Sequence, residues 1–225
     1  MFRLIKLVVL AVPAAVHAAD FNFTTLGVNN TLLANTVVVN GVTAQGYHTN
    51  FANPTPLWLR NEPSDHGLGV CSEGASCATG GGDVNELDNN GLLEAILLTR
   101  PAGTIWTSLW ISSLDSGGSG GSEEGILRWG NSLAELLAGI NAFNFGFGDF
   151  GGAVEGNILS LAAAAGFDSS ALYVLFLPNY NAGTNNDYLV WKGSYEPGRL
   201  VPEPGTLLLL GIGLAGIGLR RRAKR

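Results

Sequence analysis

The last 25 residues constrain this chain more than any other stretch. Val201-Pro202-Glu203-Pro204-Gly205 opens the segment, and Thr206 to Leu219 follow without a charge. Arg220, Arg221, Arg222, Lys224 and Arg225 then put five cations into the final six residues. The prolines stop a helix from running in from upstream, because each fixes φ and removes an N–H donor. At about 1.5 Å per residue, 206–219 would make a helix of about 21 Å, short of the roughly 30 Å hydrocarbon core. Long cationic side chains snorkel and bilayers thin at modest cost. Residues 206–219 therefore read as a single transmembrane helix, with the basic tail 220–225 cytoplasmic. A buried helix of a soluble core would suit the length, but it has no use for a polycation abutting the apolar run.

The opposite terminus agrees. Arg3 and Lys6 form a basic n-region, Leu7 to Val16 an apolar h-region interrupted by Pro13, and Val16-His17-Ala18 a small-residue cleavage site. Residues 1–18 read as a signal peptide that signal peptidase removes after Ala18. Between the two ends lies an exported domain, 19–198, and 199–225 form the C-terminal segment. About 180 residues suffice for one domain with a real core. Between Asp20 and Leu200 stand 17 acidic and 5 basic residues, a net of −12 hidden inside the overall −6. Such a surface repels nucleic acid and anionic lipid, which excludes nucleic-acid binding, and it suits calcium or a neutral glycan better.

The tripartite end, Pro202-Glu203-Pro204, then a Gly-rich apolar span, then an Arg-rich terminus, closely resembles the PEP-CTERM sorting signal of Gram-negative bacteria. The resemblance implies an exosortase as processing partner and an inner-membrane intermediate with its domain in the periplasm. It also implies cleavage near the motif and delivery to the cell surface or an exopolysaccharide matrix. A second, looser resemblance lies in the domain itself: Gly67-Leu68-Gly69-Val70, then Glu86-Leu87-Asp88-Asn89, then Glu94 before an apolar run. A similar series recurs in the ectodomains of PEP-CTERM proteins, where it goes with a β-sandwich of carbohydrate-binding-module appearance.

The residues independently favour strands. Short β-branched and aromatic runs alternate with Asn, Gly and Pro turns. Thr36 to Val39 ends at Asn40-Gly41, a hairpin signal, and Val42 to Phe51 is the return strand, with Val42, Ala44, Gly46 and His48 on one face. Leu57-Trp58-Leu59 is a short strand between turns. In Thr104 to Ser113 strict alternation puts Trp106, Ser108, Trp110 and Ser112 on one face. Ser132 to Ala138 reads as a helix with Ser132 as N-cap, Glu135 as its capping-box partner and Gly139 as terminator. Phe143, Phe145 and Phe147 alternate as a strand, Ile158 to Ala165 is a second short helix ending at Gly166, and strands at Ser170–Leu177 and Tyr188–Tyr195 close the domain. The expected fold is mainly β: an antiparallel sandwich or jelly roll of about eight to ten strands with one or two short helices.

Candidate chemistry is sparse. Cys71 and Cys77 lie in the exported domain, where an oxidising compartment makes a disulfide between them the expectation. Asp83, Asn85, Glu86, Asp88 and Asn89 crowd five oxygen-bearing side chains into seven residues, with Glu94 following. Hard cations take such ligands, so this loop is a calcium hypothesis beside a plain solvated turn. It does not follow the EF-hand spacing, and a thermal melt indifferent to millimolar calcium would remove it. Trp106 and Trp110 read as core, or, with Tyr180, as a sugar-stacking platform. Neither His48 nor His66 has an evident catalytic partner, and no His-Glu-x-x-His or P-loop occurs. Glu86, Asp88 and Glu94 could be nominated for glycoside hydrolysis, but any acidic domain supplies such a set. The expected role is a non-catalytic structural or adhesive one at the cell surface or in exopolysaccharide. A calcium-assisted carbohydrate-binding module is the alternative, and a secreted glycan-processing hydrolase a third reading.

Overall fold

The computed structural model describes residues 17–48, 51, 53–63, 65–72, 86–89, 93–116, 122–180 and 186–198. The chain begins with β1 (Ala19–Asn22), β2 (Thr31–Leu32), β3 (Thr36–Val39), β4 (Val42–His48), β5 (Asn53–Thr55), β6 (Leu57–Glu62) and β7 (Asp65–Val70). There follow β8 (Glu94–Thr99), β9 (Thr104–Ser112), β10 (Glu124–Gly130), α1 (Leu133–Ala138), β11 (Ala142–Gly146) and β12 (Gly156–Asn157). The chain closes with α2 (Ile158–Ala162), β13 (Tyr173–Pro178) and β14 (Leu189–Pro197). The expected signal peptide, sorting motif 201–205, span 206–219 and basic tail lie outside the described residues, apart from His17 and Ala18. Among the described residues no helix is long and apolar enough to cross a membrane.

Two antiparallel sheets pack face to face. The first runs β12-β9-β14-β7-β6-β2, with β1 sharing an edge of β14, and the second runs β11-β10-β13-β8-β4-β3, with β5 sharing an edge of β4. Fourteen strands among the described residues exceed the eight to ten expected, because several two- to four-residue pieces pair along part of a longer neighbour. Local chemistry sets the joints. Asn40 and Gly41 take φ of 46° and 80°, the left-handed pair that a two-residue hairpin needs, and Val39 pairs with Val42 across it. The Ser132 side chain caps α1 by accepting from the Glu135 N–H at 3.3 Å, and Gly139 ends it in the left-handed conformation. The Glu135 carboxylate reaches back to the Asn131 N–H at 2.7 Å, one residue beyond the expected capping-box donor.

The core between the sheets takes Phe21, Leu57, Leu59, Leu68, Leu109 and Ile111 from the first sheet, and Val42, Ala44, Ile96, Leu98, Leu127 and Phe176 from the second. Each of these side chains except the smaller Ala44 contributes about 1.5–3 kcal/mol by leaving water. A smaller apolar cluster covers the outer face of the second sheet, where Leu136 of α1 packs with Tyr47, Leu97, Ile126 and Leu175. Helix α2 buries Ile158, Leu159 and Ala162 into the main core. As expected, its helical run extends through a 3-10 turn to Gly166.

Two sequence expectations need correction. Phe147 does not continue β11: residues 147–150 form a 3-10 turn, and Phe145 alone of the three rings is fully buried. Trp106 and Trp110 do not share a face. Opposite Ser194 and Tyr195 of β14 stand Ser108 and Trp106, so Thr107 is an extra, bulged residue in β9. Alternation slips by one at that point. Trp106 turns into the core, 2% exposed, with its Nε1–H donated to the Ala171 carbonyl at 2.9 Å, whereas Trp110 stays half-buried on the outer face.

Candidate functional site

The Gly67-Leu68-Gly69-Val70 stretch ends β7, and its first glycine has a steric reason. Gly67 sits at φ 140°, and a Cβ there would stand 2.6 Å from the Val190 carbonyl oxygen, so only glycine lets β14 close against β7. Leu68 and Val70 point into the core. The Glu86-Leu87-Asp88-Asn89 stretch crosses the end of both sheets: the Val70 N–H donates to the Glu86 carbonyl at 3.4 Å and the Leu87 N–H to the Tyr188 carbonyl at 2.9 Å. Leu87 is fully buried between two buried carboxyls, Glu86 and Asp88. Glu94, the first residue of β8, accepts from the Asp88 N–H at 3.0 Å, and Asn89 accepts from the Asn186 N–H at 3.1 Å.

A polar network grows from this crossing. Glu86 Oε1 accepts from Arg60 Nη1 and from the Ser113 hydroxyl, and Arg60 Nη2 pairs with Asp65 at 3.1 Å. The same Ser113 hydroxyl lies 3.1 Å from Asp65 Oδ1. Beside them, Glu123 accepts from the Asp115 N–H and is hydrogen-bonded to Asp187. Asn186 accepts from the Glu124 N–H at 2.8 Å and donates to the Asn179 carbonyl at 2.9 Å, while Asn179 donates to the Glu124 carboxylate at 2.7 Å.

This cluster is short of positive charge. Burial pushes the Glu86 carboxyl up to about 8, with Asp187 adding to the rise and Arg60 and Ser113 opposing it. Burial pushes Glu123 up to about 10, reinforced by its hydrogen bond to Asp187 and that residue's charge. Glu94 is likewise raised, first by burial and then by Asp88, against hydrogen bonds from Ser72 and the Asp88 backbone. A single guanidinium cannot neutralise Asp65, Glu86, Glu123 and Asp187 together, so protons remain on the most buried members. Glu86 Oε2 is buried without a hydrogen-bond partner. Among the described residues no three His, Cys, Asp or Glu side chains form a group that could hold a metal ion.

A second arrangement occupies the outer face of the first sheet. A register shift in β14 between Val190 and Lys192 puts Trp191 on a bulge. Its ring stands 4.1 Å from that of His66 and 6.1 Å, edge-on, from that of Trp110. The Lys192 ammonium sits 3.4 Å above the Trp191 ring and 4.9 Å from that of Trp110. His66 Nδ1 lies 2.8 Å from the Glu62 carbonyl, and a Glu155 carboxylate oxygen stands 2.9 Å from Nε2 outside hydrogen-bond geometry, an ion pair only when the ring is protonated. Beside Trp110, Asp20, Asn22, Ser108, Lys192 and Gly193 line a cleft of about 340 Å³.

The expected site residues scatter across these places. Glu86, Asp88, Asn89 and Glu94 join in one network, whereas Asp83 and Asn85 lie outside the described residues. Cys71 is buried against Trp58 at the end of β7, and its expected partner Cys77 also lies outside the described residues. Trp106 is core, Trp110 lines the outer cleft, and Tyr180 is exposed just beyond β13. Arg60, Asp65, Ser113 and Glu123 escaped the sequence reading because they come from four separate segments with no shared spacing. Asn186 and Asp187 did carry a signal, since they end a stretch, 179–187, dense in amide and carboxylate side chains.

Residues 200–222 match the PEP-CTERM protein-sorting motif. No curated protein and no solved structure matches the chain. The motif marks an exported protein that an exosortase processes from a membrane-anchored sorting intermediate.

Proposed function

We propose that this sorted protein ends at the cell surface or in an exopolysaccharide matrix, where its domain has a non-catalytic structural or adhesive role. The observation that carries the reading is the sorting motif at 200–222, which follows β14 in the sequence, the strand that pairs with β1. β1 begins at Ala19, the residue that signal-peptide removal would leave first, and it pairs with β14 from Ala19–Tyr195 to Asn22–Lys192. Cleavage after Ala18 would therefore leave the sheet whole, and release near Pro202-Glu203-Pro204 would free an intact domain. In that oxidising location a Cys71–Cys77 disulfide would tie down the chain beyond β7.

The non-catalytic half of the reading has separate support. The carboxyls open to nomination, Glu86, Asp88 and Glu94, are 4%, 4% and 1% exposed rather than lining an open cleft; Glu86 is taken up by Arg60 and Ser113, and Glu94 by the Asp88 N–H. Hydrolysis of a glycosidic bond needs two carboxyls flanking a substrate at about 5–10 Å.

The test is the location and mass of the protein in cells with and without the exosortase. Truncation near Pro202 and protease-accessible domain on intact cells, both dependent on the enzyme, are the expected results. Full-length protein retained in the inner membrane in both strains would overturn the matrix assignment.

A further inference from the structure

The cleft beside Trp110 is built from three adjacent strands in register. Asn22 of β1 pairs with Lys192 of β14, and Lys192 pairs with Trp110 of β9, so these three side chains form one row across the outer face. Two residues along, Asp20 pairs with Ser194 and Ser194 with Ser108, making a second, wholly polar row. The residues between the rows, Phe21 and Leu109, turn inward and are buried. Gly193 sits between them, where a Cβ would stand 2.6 Å from the Phe21 ring and 2.4 Å from the Ser108 carbonyl oxygen. A core packed this closely holds the rows above it in place.

The row chemistry is mixed in a specific way. Trp110 offers a half-buried indole. Asn22 spends Oδ1 on the Thr24 N–H and hydroxyl, at 3.0 and 2.8 Å, and its Nδ2 hydrogens are unused among the described residues. Ser108, Ser194 and Thr107 form a hydroxyl ladder with oxygen separations of 2.6 and 2.7 Å. Asp20 is an exposed carboxylate, and the Lys192 ammonium lies over indoles with no carboxylate in ion-pair range among the described residues. Donors, acceptors and both charges thus surround one aromatic ring within about 340 Å³, inside the range of roughly 300–1,000 Å³ found for small-molecule sites.

We propose that this cleft binds a neutral saccharide. A pyranose presents a C–H face to an indole and a rim of hydroxyls that both donate and accept, matching Trp110 and the polar rows respectively. Asp20 and Lys192 cancel in charge, and the exported segment carries a net −12, so a polyanionic glycan is repelled while a neutral one is not. The inference deepens the adhesive reading above by naming its ligand class, and it does not depend on sorting.

The test uses the full chain in a non-glycosidic detergent, titrated with maltohexaose, cellohexaose and mannohexaose, and with polygalacturonate as the anionic arm. Calorimetry and tryptophan fluorescence give the readout. Saturable binding to at least one neutral probe and none to polygalacturonate is expected. Trp110→Ala should weaken it at least tenfold and Asp20→Ala about threefold, whereas Tyr180→Ala, at the end of β13, should leave it unchanged. Should Trp110→Ala fail to fold, Asp20→Ala and Lys192→Met decide, because neither side chain is in the core. Binding of no neutral probe, preference for polygalacturonate, or wild-type affinity in all the cleft variants overturns the proposal. Loss of surface delivery with saccharide binding intact would instead sink the localisation reading and leave the cleft assignment standing.

Discussion

Replacing Glu86 with glutamine should flatten the pH dependence of this protein's stability. Glu86 titrates at about 8 in the folded protein against an ordinary 4.5. The folded state therefore holds a proton that the unfolded state has released throughout that interval. Stability from this group is fully present below about pH 4.5 and is lost as pH rises towards 8. Each pH unit in the interval costs about 1.4 kcal/mol at most, so moving from pH 5 to 8 costs up to about 4 kcal/mol. For a domain of this size that is roughly 8–16 °C in Tm. Glu123, pushed to about 10, adds a fall of the same sign, so only the difference between wild type and variant isolates Glu86.

Glutamine copies the protonated acid. Its oxygen can still accept from Arg60 and Ser113, and its amide group replaces the Oε2 that has no partner. Thermal melts by circular dichroism at half-unit steps from pH 5 to 8.5, in EDTA, would measure the effect. The variant should match wild type near pH 5 and exceed it by about 2–4 kcal/mol at pH 8 and above, on the same linkage arithmetic. A wild-type Tm that is flat or rising across this range would refute the reasoning, because it would mean Glu86 is ionised and satisfied by Arg60. An equally steep fall in the Gln variant would refute it too, since some other group would then be titrating.

Three further substitutions probe the frame around these sites. Gly67→Ala should cost at least about 3 kcal/mol and loosen β14 from β7, since the new Cβ meets backbone atoms of Val190 and Trp191 that cannot rotate away; hydrogen exchange at Leu68 and Val190 reports it, and near-native protection would count against it. Arg60→Ala leaves Glu86 and Asp65 without their cation and should cost about 3–5 kcal/mol at pH 8 by chemical denaturation, with a smaller loss at pH 5. Trp106→Ala should cost about 3–5 kcal/mol by opening a core cavity and removing one of the two hydrogen bonds to the Ala171 carbonyl, the other coming from Arg100 Nε, whereas Trp110→Ala should cost less than half as much. Equal losses at the two tryptophans would mean that the bulge at Thr107 is wrongly placed.

Much of this protein was legible in its sequence because the relevant physics is local. The charge-free run ahead of five cations, the Asn40-Gly41 hairpin, the Ser132 cap and the Gly139 and Gly166 terminators each depend on residues a few positions apart. The mainly β composition and the polarity of the two ends follow in the same way. What only the tertiary structure decided is where alternation breaks and which distant side chains meet. The bulge at Thr107 sends one tryptophan into the core and the other to the surface, because β9 must match a twisted partner strand whose register shifts twice. Arg60, Glu86, Ser113, Glu123 and Asp187 come together only because β6, β9, β10 and β14 bring their ends to the crossing at 86–89, and no spacing rule spans such separations. The raised carboxyl affinities follow from that assembly: a carboxylate that water would solvate in the open chain is buried with two others and one guanidinium, and it keeps its proton.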